Sequence, residues 1–160
     1  MGRPKRRKKV LLIEPNYANK FPPVGLMKLS TYYKNLGNWD VVFFKGELKN
    51  FVIERIAERC VEMFLTIDKS IDWSLKKDII FEFIKTRKKD LIPEIGIEQS
   101  NYSILLLGQL TDFKDYYWKG TWKKEPEWDR VGVTTLFTFY WDITVETINF
   151  AKLLVKNKNS

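Results

Sequence analysis

The chain has 160 residues, which fit one ordinary domain, and its 44% hydrophobic and 15% aromatic residues are sufficient for a packed core. Basic residues from Arg3 to Lys9 supply six of the eight net positive charges, so the remainder, 8 − 6 = +2, is nearly neutral. The lack of histidine and the single cysteine exclude a disulfide, a cysteine-rich zinc site, a cysteine-ligated iron–sulfur cluster and a histidine-based triad within this chain.

The N-terminus combines a basic arm, residues 1–8, with the first predicted strand. We interpret the arm as a solvated, frayed terminus; contact with phosphates is the alternative. The segment KVLLIE, from Lys9 to Glu14, is the nearly continuous apolar run typical of a parallel strand buried on both faces. Its apolar part is too short for a signal peptide or a membrane span, so we expect a cytoplasmic protein without a membrane partner.

A helix and a second strand follow. Pro22 and Pro23 favour a helix start, and Gly37 stands where a left-handed cap is expected. The apolar residues at helical spacing between them are Leu26, Leu29, Tyr33 and Leu36. The next apolar run, within Trp39 to Lys45, predicts a strand, so the three elements form a right-handed βαβ unit.

Residues from about 47 to 125 predict an inserted helical subdomain of about three helices. One apolar stripe includes Cys60, which we therefore expect to be a buried hydrophobic residue and not a reactive thiol. A second stripe includes Leu75, Ile79, Ile80, Phe83 and Ile84, with Asp72 as its expected N-cap. Residues 102–107 fit a strand or a helix, and the spacing that continues to Tyr117 favours the helix.

The last two predicted elements are a strand within Arg130 to Tyr140 and a helix capped by Asp142 or Thr144. Gly132 indicates close packing by a neighbouring backbone. The fold class that results is α/β, a three-layer Rossmann-like or flavodoxin-like sandwich with a short parallel sheet in the order 2-1-3. No strand signal follows the last helix, so we expect the remainder of a longer polypeptide or a partner to cover the edge of the third strand, with a self-contained short form as the alternative.

In open α/β sheets, ligands bind beyond the carboxyl ends of the strands where the strand order reverses, here between the first and third strands. Hydroxyls and amides beside aromatic rings suit a planar ligand at this crevice, although the same residues are ordinary in strands. Glu14 and Asp142 are the carboxylates placed nearest to it. The crevice residues taken as cofactor-binding are Pro15, Asn16, Tyr17, Pro22, Pro23, Thr134, Thr135, Phe137 and Thr138.

Two further patterns bear on nucleotide and nucleic-acid binding. Neither G-x-G-x-x-G nor G-x-x-x-x-G-K-[ST] occurs, which removes the support for a standard dinucleotide or triphosphate site. The segment KGTWKKEPEW, Lys119 to Trp128, interleaves bases with aromatic residues as single-strand binders do. Because the sequence shows no second such cluster, we favour a loop anchored by its aromatic side chains.

Segments near the two ends of the chain resemble one known family. KVLLIEPNYANKFPPVGLMKLSTYYKNLG, DVVFFKG and WDRVGVTTLFTFYWDITVETINFAK are similar to the N-terminal, cobalamin-binding-like domain of radical S-adenosylmethionine proteins. The P-P-x-G-L element, which includes Gly25, is similar to the one between that family's first strand and first helix, and the resemblance adds Gly25 to the expected cofactor-binding residues. These segments cover about two fifths of the chain, and the middle resembles the family only as a helical insertion.

The resemblance implies an accessory cofactor- or substrate-binding domain, not catalytic by itself, in front of a catalytic barrel. S-adenosylmethionine and the [4Fe–4S] cluster would belong to that barrel, since the C-x-x-x-C-x-x-C motif is absent here. Cobalamin would bind without a histidine ligand, because the D-x-H-x-x-G element is also absent. A non-catalytic protein-interaction module and, with least support, a nucleic-acid-binding protein are the alternatives.

Overall fold

A parallel sheet of three strands organises the two ends of the chain in the computed structural model, which describes residues 6–16, 24–134 and 141–156. Strand β1 spans Lys8–Glu14, β2 spans Trp39–Lys45 and β3 spans Arg130–Val133. The strand order is β2-β1-β3, and β1 pairs in parallel with both neighbours. The expected α/β class and strand order are therefore confirmed, with a Rossmann-like layout.

The central strand is apolar on both faces because both faces are covered. Val10, Leu11, Leu12 and Ile13 are at most 1% exposed. Glu14 continues this run and lies opposite Lys45 in the register with β2. The carboxyl end of β1 thus places a charged residue, Glu14, directly after the most deeply buried residues of the sheet.

Helix α1, Val24–Asn35, packs on one face of the sheet through Leu26, which contacts Val10 and Leu12 in the core. Gly37 has φ 77°, so it provides the left-handed conformation expected after the helix. Only part of the predicted apolar stripe is buried, since Leu29 is 42% exposed and Leu36 is 49% exposed. Gly132 in β3 is closely approached by a side chain and not by the expected neighbouring backbone, because a Cβ there would lie 3.1 Å from Leu12 Cδ2.

The chain divides into two compact units. One unit combines Met1–Leu48 with Glu125–Ser160, and the other is Lys49–Lys124. Helices α2 to α5 follow β2 along the chain and are joined by short 3-10 turns. Their bounds are Leu48–Ile67, Lys77–Thr86, Ile92–Ile95 and Ser103–Trp118. Residues 103–107 lie in α5, so the preference for a helix over a strand in that segment is confirmed.

The helical unit has its own core. The buried rings of Phe64 and Trp73 meet edge to face with centroids 5.2 Å apart, and Cys60 is fully buried as expected. Asp72 caps a 3-10 turn, Trp73–Lys76, by accepting a hydrogen bond from the Ser74 N–H. Because this turn precedes α3, the helical phase changes there, and Leu75 is 78% exposed in contrast to its predicted place in the apolar stripe.

Helix α6, Trp141–Ala151, starts before both residues predicted to cap it. Asp142 lies in its first turn, where a negative charge is favourable near the helix N-terminus, and Thr144 is a buried helical residue. The N-cap prediction for these two residues is therefore wrong.

The segment after α6 returns to the beginning of β3. Val155 forms a parallel β-bridge with Trp128, and the Lys156 N–H donates to the Trp128 carbonyl at 2.8 Å. Asp129 accepts a hydrogen bond from the Lys9 N–H and one from Lys156 Nζ. No local sequence pattern signals this pairing, which places backbone beside the outer edge of β3 at its amino end.

Within residues 6–16, 24–134 and 141–156, no helix has the length and apolar character needed to cross a bilayer.

Candidate functional site

The site is centred on Glu14, where β1 ends between its two neighbours. The Glu14 carbonyl accepts a hydrogen bond from the Gly46 N–H at 3.3 Å, which fixes the backbone after β2 against the end of β1. The Glu14 side chain is only 3% exposed. A carboxylate at this depth normally receives several hydrogen bonds, because burial removes its hydration.

Glu14 lacks that compensation on one oxygen. Its Oε1 is buried and has no hydrogen-bond donor in the structure. Lys45 Nζ lies 3.5 Å from this oxygen, which is an ion-pair distance but long for a charge-assisted hydrogen bond of about 2.8 Å. Because the Lys45 side chain is 39% exposed, water remains in competition for its ammonium group.

A second buried polar atom without a hydrogen-bond partner lies in the helix that follows β3 along the chain. Thr144 is 1% exposed, and its Oγ1 has no hydrogen-bond partner. Thr144 lies near the start of α6, and this helix packs against β3. Glu14 Oε1 and Thr144 Oγ1 are the two such side-chain atoms found among the described residues.

The structure places the predicted crevice residues in different surroundings. Thr134 is held beside the end of β1, since its N–H donates to the Ile13 carbonyl at 2.9 Å. Pro15 is buried and Asn16 is exposed, both directly after Glu14. Gly25 is exposed in the first turn of α1, and a Cβ there would meet nothing within 4 Å, so a close backbone approach does not explain this glycine.

Six of the expected residues lie outside the part of the chain that the structure describes. They are Tyr17, Pro22, Pro23, Thr135, Phe137 and Thr138. The described residues therefore bring together Glu14, Pro15 and Thr134. Sequence reasoning did not assign Lys45 to the site, although its place at the end of the second predicted strand was a usable signal. Thr144 was predicted only as a cap.

A small cavity lies beside the same sheet, between α1 and β3. Its volume is about 100 Å³, which is below the roughly 300 to 1,000 Å³ of pockets that bury drug-sized ligands. The lining residues are Val10, Leu12, Leu29, Tyr33, Arg130, Val131 and Gly132. A cavity of this size and lining holds a few waters or the end of a side chain, not a planar cofactor.

The site is equipped for binding by charge and hydrogen bonds. One carboxylate oxygen and one hydroxyl are buried without a hydrogen bond, so a group that donates to Glu14, or one that bonds to Thr144, would satisfy an atom that the protein leaves without one. No cluster of three histidine, cysteine, aspartate or glutamate side chains suited to a metal ion occurs among the described residues. Cys60 belongs to the helical unit, and burial raises the pKa of its thiol to about 12, which keeps it protonated near neutral pH.

No protein-family model, curated protein or solved structure matches this chain.

Proposed function

We propose that this chain is an accessory ligand-binding domain of the cobalamin-binding type found in radical S-adenosylmethionine proteins. It contributes a binding crevice at the carboxyl ends of β1 and β3 and no radical chemistry of its own. The observation that carries the proposal is the buried Oε1 of Glu14, which has no hydrogen-bond donor and only Lys45 at ion-pair distance, at the edge where open α/β sheets bind ligands. Thr144 Oγ1, in the helix that packs against β3, is a second buried atom without a hydrogen-bond partner.

The chemistry of these two groups is compatible with cobalamin, provided that cobalt takes no histidine from the protein. The sequence contains no histidine, so cobalt would take another lower ligand or none, and Glu14 and Thr144 would contribute contacts to the periphery of the corrin ring. Corrin carries carboxamides, whose N–H groups donate to a carboxylate and whose oxygens accept from a hydroxyl. Because the cavity beside Gly132 is only about 100 Å³, the ring would have to occupy the open crevice beyond β1 and β3.

Titration of the purified chain with hydroxocobalamin, followed by visible absorption and by retention on a desalting column, tests the proposal. We expect saturable binding to the unaltered chain. Glu14→Gln removes the charged acceptor and should weaken binding by about tenfold or more, the usual loss when a hydrogen bond to a charged group is removed. No retention of hydroxocobalamin by the unaltered chain would contradict the cobalamin assignment.

Glu146→Gln is the matched control. Glu146 is an exposed residue of α6, so its substitution makes the same chemical change in the same unit without touching Glu14 or Thr144. We expect the control to bind hydroxocobalamin like the unaltered chain. Equal losses in the two variants would show that net charge, and not the crevice, determines binding.

A protein-interaction module is the second candidate, and the exposed edge strand β2 favours it. Phe43 in β2 is 48% exposed, which is unusual for a large apolar side chain in a strand. Such an edge is a template for pairing with another chain. Light scattering over a range of concentrations tests this function: a size that grows with concentration in the unaltered chain and not in Phe43→Lys would support it, and a constant size would argue against self-association.

A further inference from the structure

We propose that the helical unit binds single-stranded nucleic acid on a surface where the ends of α3 and α5 meet. Two contacts bring these ends together. Trp118 Nε1 donates a hydrogen bond to the Ile84 carbonyl at 2.7 Å, and the Arg87 guanidinium lies 4.0 Å from the centre of the Trp118 ring. All of these residues belong to the unit Lys49–Lys124. The surface is independent of the crevice at Glu14.

These contacts join two basic segments that are far apart in sequence. Lys85–Lys89, KTRKK, carries four basic residues, and Lys119–Lys124, KGTWKK, carries three, with no acidic residue in either segment. The basic-aromatic surface consists of Lys85, Arg87, Lys88, Lys89, Trp118, Lys119, Lys123 and Lys124, all of them exposed. The sequence alone argued against nucleic-acid binding because KGTWKK had no second cluster beside it, and the fold supplies that cluster.

The aromatic part of the surface is presented in a fixed orientation. Trp118 is 44% exposed, although its indole N–H is bonded and one face is covered by Arg87. Arg87 has φ 58°, a left-handed conformation in which glycine is the usual residue after a helix. A stacked guanidinium and indole are both planar groups on which unpaired bases stack.

Favourable interaction with the negative C-terminal ends of α3 and α5 explains only some of the basic residues on this surface. Lys85 is in the last turn of α3 and Lys119 follows the last turn of α5, where cations are favourable. Lys88, Lys89 and Lys124 lie further on, and no carboxylate among the described residues pairs with them. Unpaired lysines beside an exposed tryptophan suit a single strand of nucleic acid. The lysines would bind the backbone phosphates, and the tryptophan would stack with the bases.

Fluorescence anisotropy with a labelled oligouridylate of about fifteen nucleotides tests the surface. The full-length variant Lys88→Gln/Lys89→Gln/Lys124→Gln should bind about tenfold more weakly than the unaltered chain at moderate salt. The slope of log affinity against log salt should fall by about 2, because each lost phosphate contact contributes roughly 0.7 for a single strand. The matched control is Lys28→Gln/Lys34→Gln/Lys152→Gln, three exposed lysines of the other unit with the same change in net charge.

Trp118→Ala separates stacking from charge. We expect about tenfold weaker binding of the oligonucleotide and unchanged binding of heparin, a polyanion without bases. Circular dichroism checks that this variant is folded, and the lysine variant tests the surface if it is not. Equal effects of the two lysine variants, or equal losses for heparin and oligonucleotide in Trp118→Ala, would overturn the proposal.

Discussion

At the scale of single residues, the surroundings of Glu14 are more consistent with a binding site than with a structural ion pair. In the absence of ligand, its carboxylate is buried with one oxygen lacking a hydrogen-bond donor, which opposes folding. A structural role would require Lys45 to compensate this burial fully. The 3.5 Å separation and the partial exposure of Lys45 indicate that it does so only in part.

Glu14→Gln should therefore leave the thermal unfolding temperature of the ligand-free chain unchanged or raise it slightly. Removing an incompletely paired buried charge relieves its desolvation, as expected where a binding site is maintained at the expense of stability. Differential scanning calorimetry of the two proteins measures the shift. A destabilisation of about 3 kcal/mol or more, the usual result of breaking a buried ion pair, would instead identify Glu14 as a structural residue.

Asp68 makes the stability of the helical unit depend on pH. Its carboxylate accepts hydrogen bonds from the hydroxyls of Ser100 and Ser70 and from the Ser70 N–H, and these bonds lower its pKa. Since the folded pKa lies below the unfolded value of about 4, this stabilisation is present above that value and is lost as the pH falls through the folded pKa.

Asp68→Asn should consequently be less stable than the unaltered chain at neutral pH, and the difference should shrink as the pH is lowered below about 4. Urea unfolding at neutral and acidic pH, followed by circular dichroism, measures both differences. Asp72→Asn is a suitable control, because Asp72 makes a single exposed capping bond. A stability difference for Asp68→Asn that is constant with pH would contradict the claim that the ionised carboxylate of Asp68 stabilises the fold.

At the scale of elements, Trp128 connects the start of β3 to the segment after α6. It is 2% exposed, and its backbone bonds to both Leu154 and Lys156. Trp128→Ala should lower the free energy of unfolding by about 3 to 5 kcal/mol, the usual result of truncating a buried aromatic residue. Trp128→Phe should retain most of the stability. Urea denaturation measures both changes, and a loss below about 1 kcal/mol for Trp128→Ala would contradict a core role for the Trp128 side chain.

The elements differ in how far the sequence determines them. β1 and β2 were predictable because each is a short apolar run beside a turn signal, and the order β2-β1-β3 is the one expected of a doubly wound α/β sheet. Leu75 was misplaced because a 3-10 turn interrupts the helical period, and the cap of α6 was misplaced because Asp142 fits the first turn as well as the N-cap position. The pairing of Trp128 with Val155 depends on long-range register, which periodicity does not contain.

The candidate site was predictable to the same extent as the strands that build it. The end of β1 marks Glu14 and Pro15, and β3 brings Thr134 to them. The buried state of Glu14, the distance to Lys45 and the unpartnered hydroxyl of Thr144 arise from packing between elements, so no local pattern signals them.

At the scale of the whole molecule, the two compact units carry two separate proposals. The unit with the parallel sheet holds the crevice at Glu14, and the helical unit holds the basic-aromatic surface around Trp118. Neither proposal requires the other, and each has variants confined to its own unit. Loss of hydroxocobalamin binding in Glu14→Gln with unchanged oligonucleotide binding would separate them experimentally.

The central claim is that ligand binds at the carboxyl edge of the sheet, and amide chemical-shift mapping by NMR tests it most directly. Addition of hydroxocobalamin to the isotope-labelled chain should shift the amide signals of Ile13 to Asn16, Thr134 and Thr144, and leave those of α3 and α5 unchanged. Glu14→Gln should reduce these shifts at the same ligand concentration. Shifts confined to other parts of the chain, or none at saturating ligand, would contradict the claim.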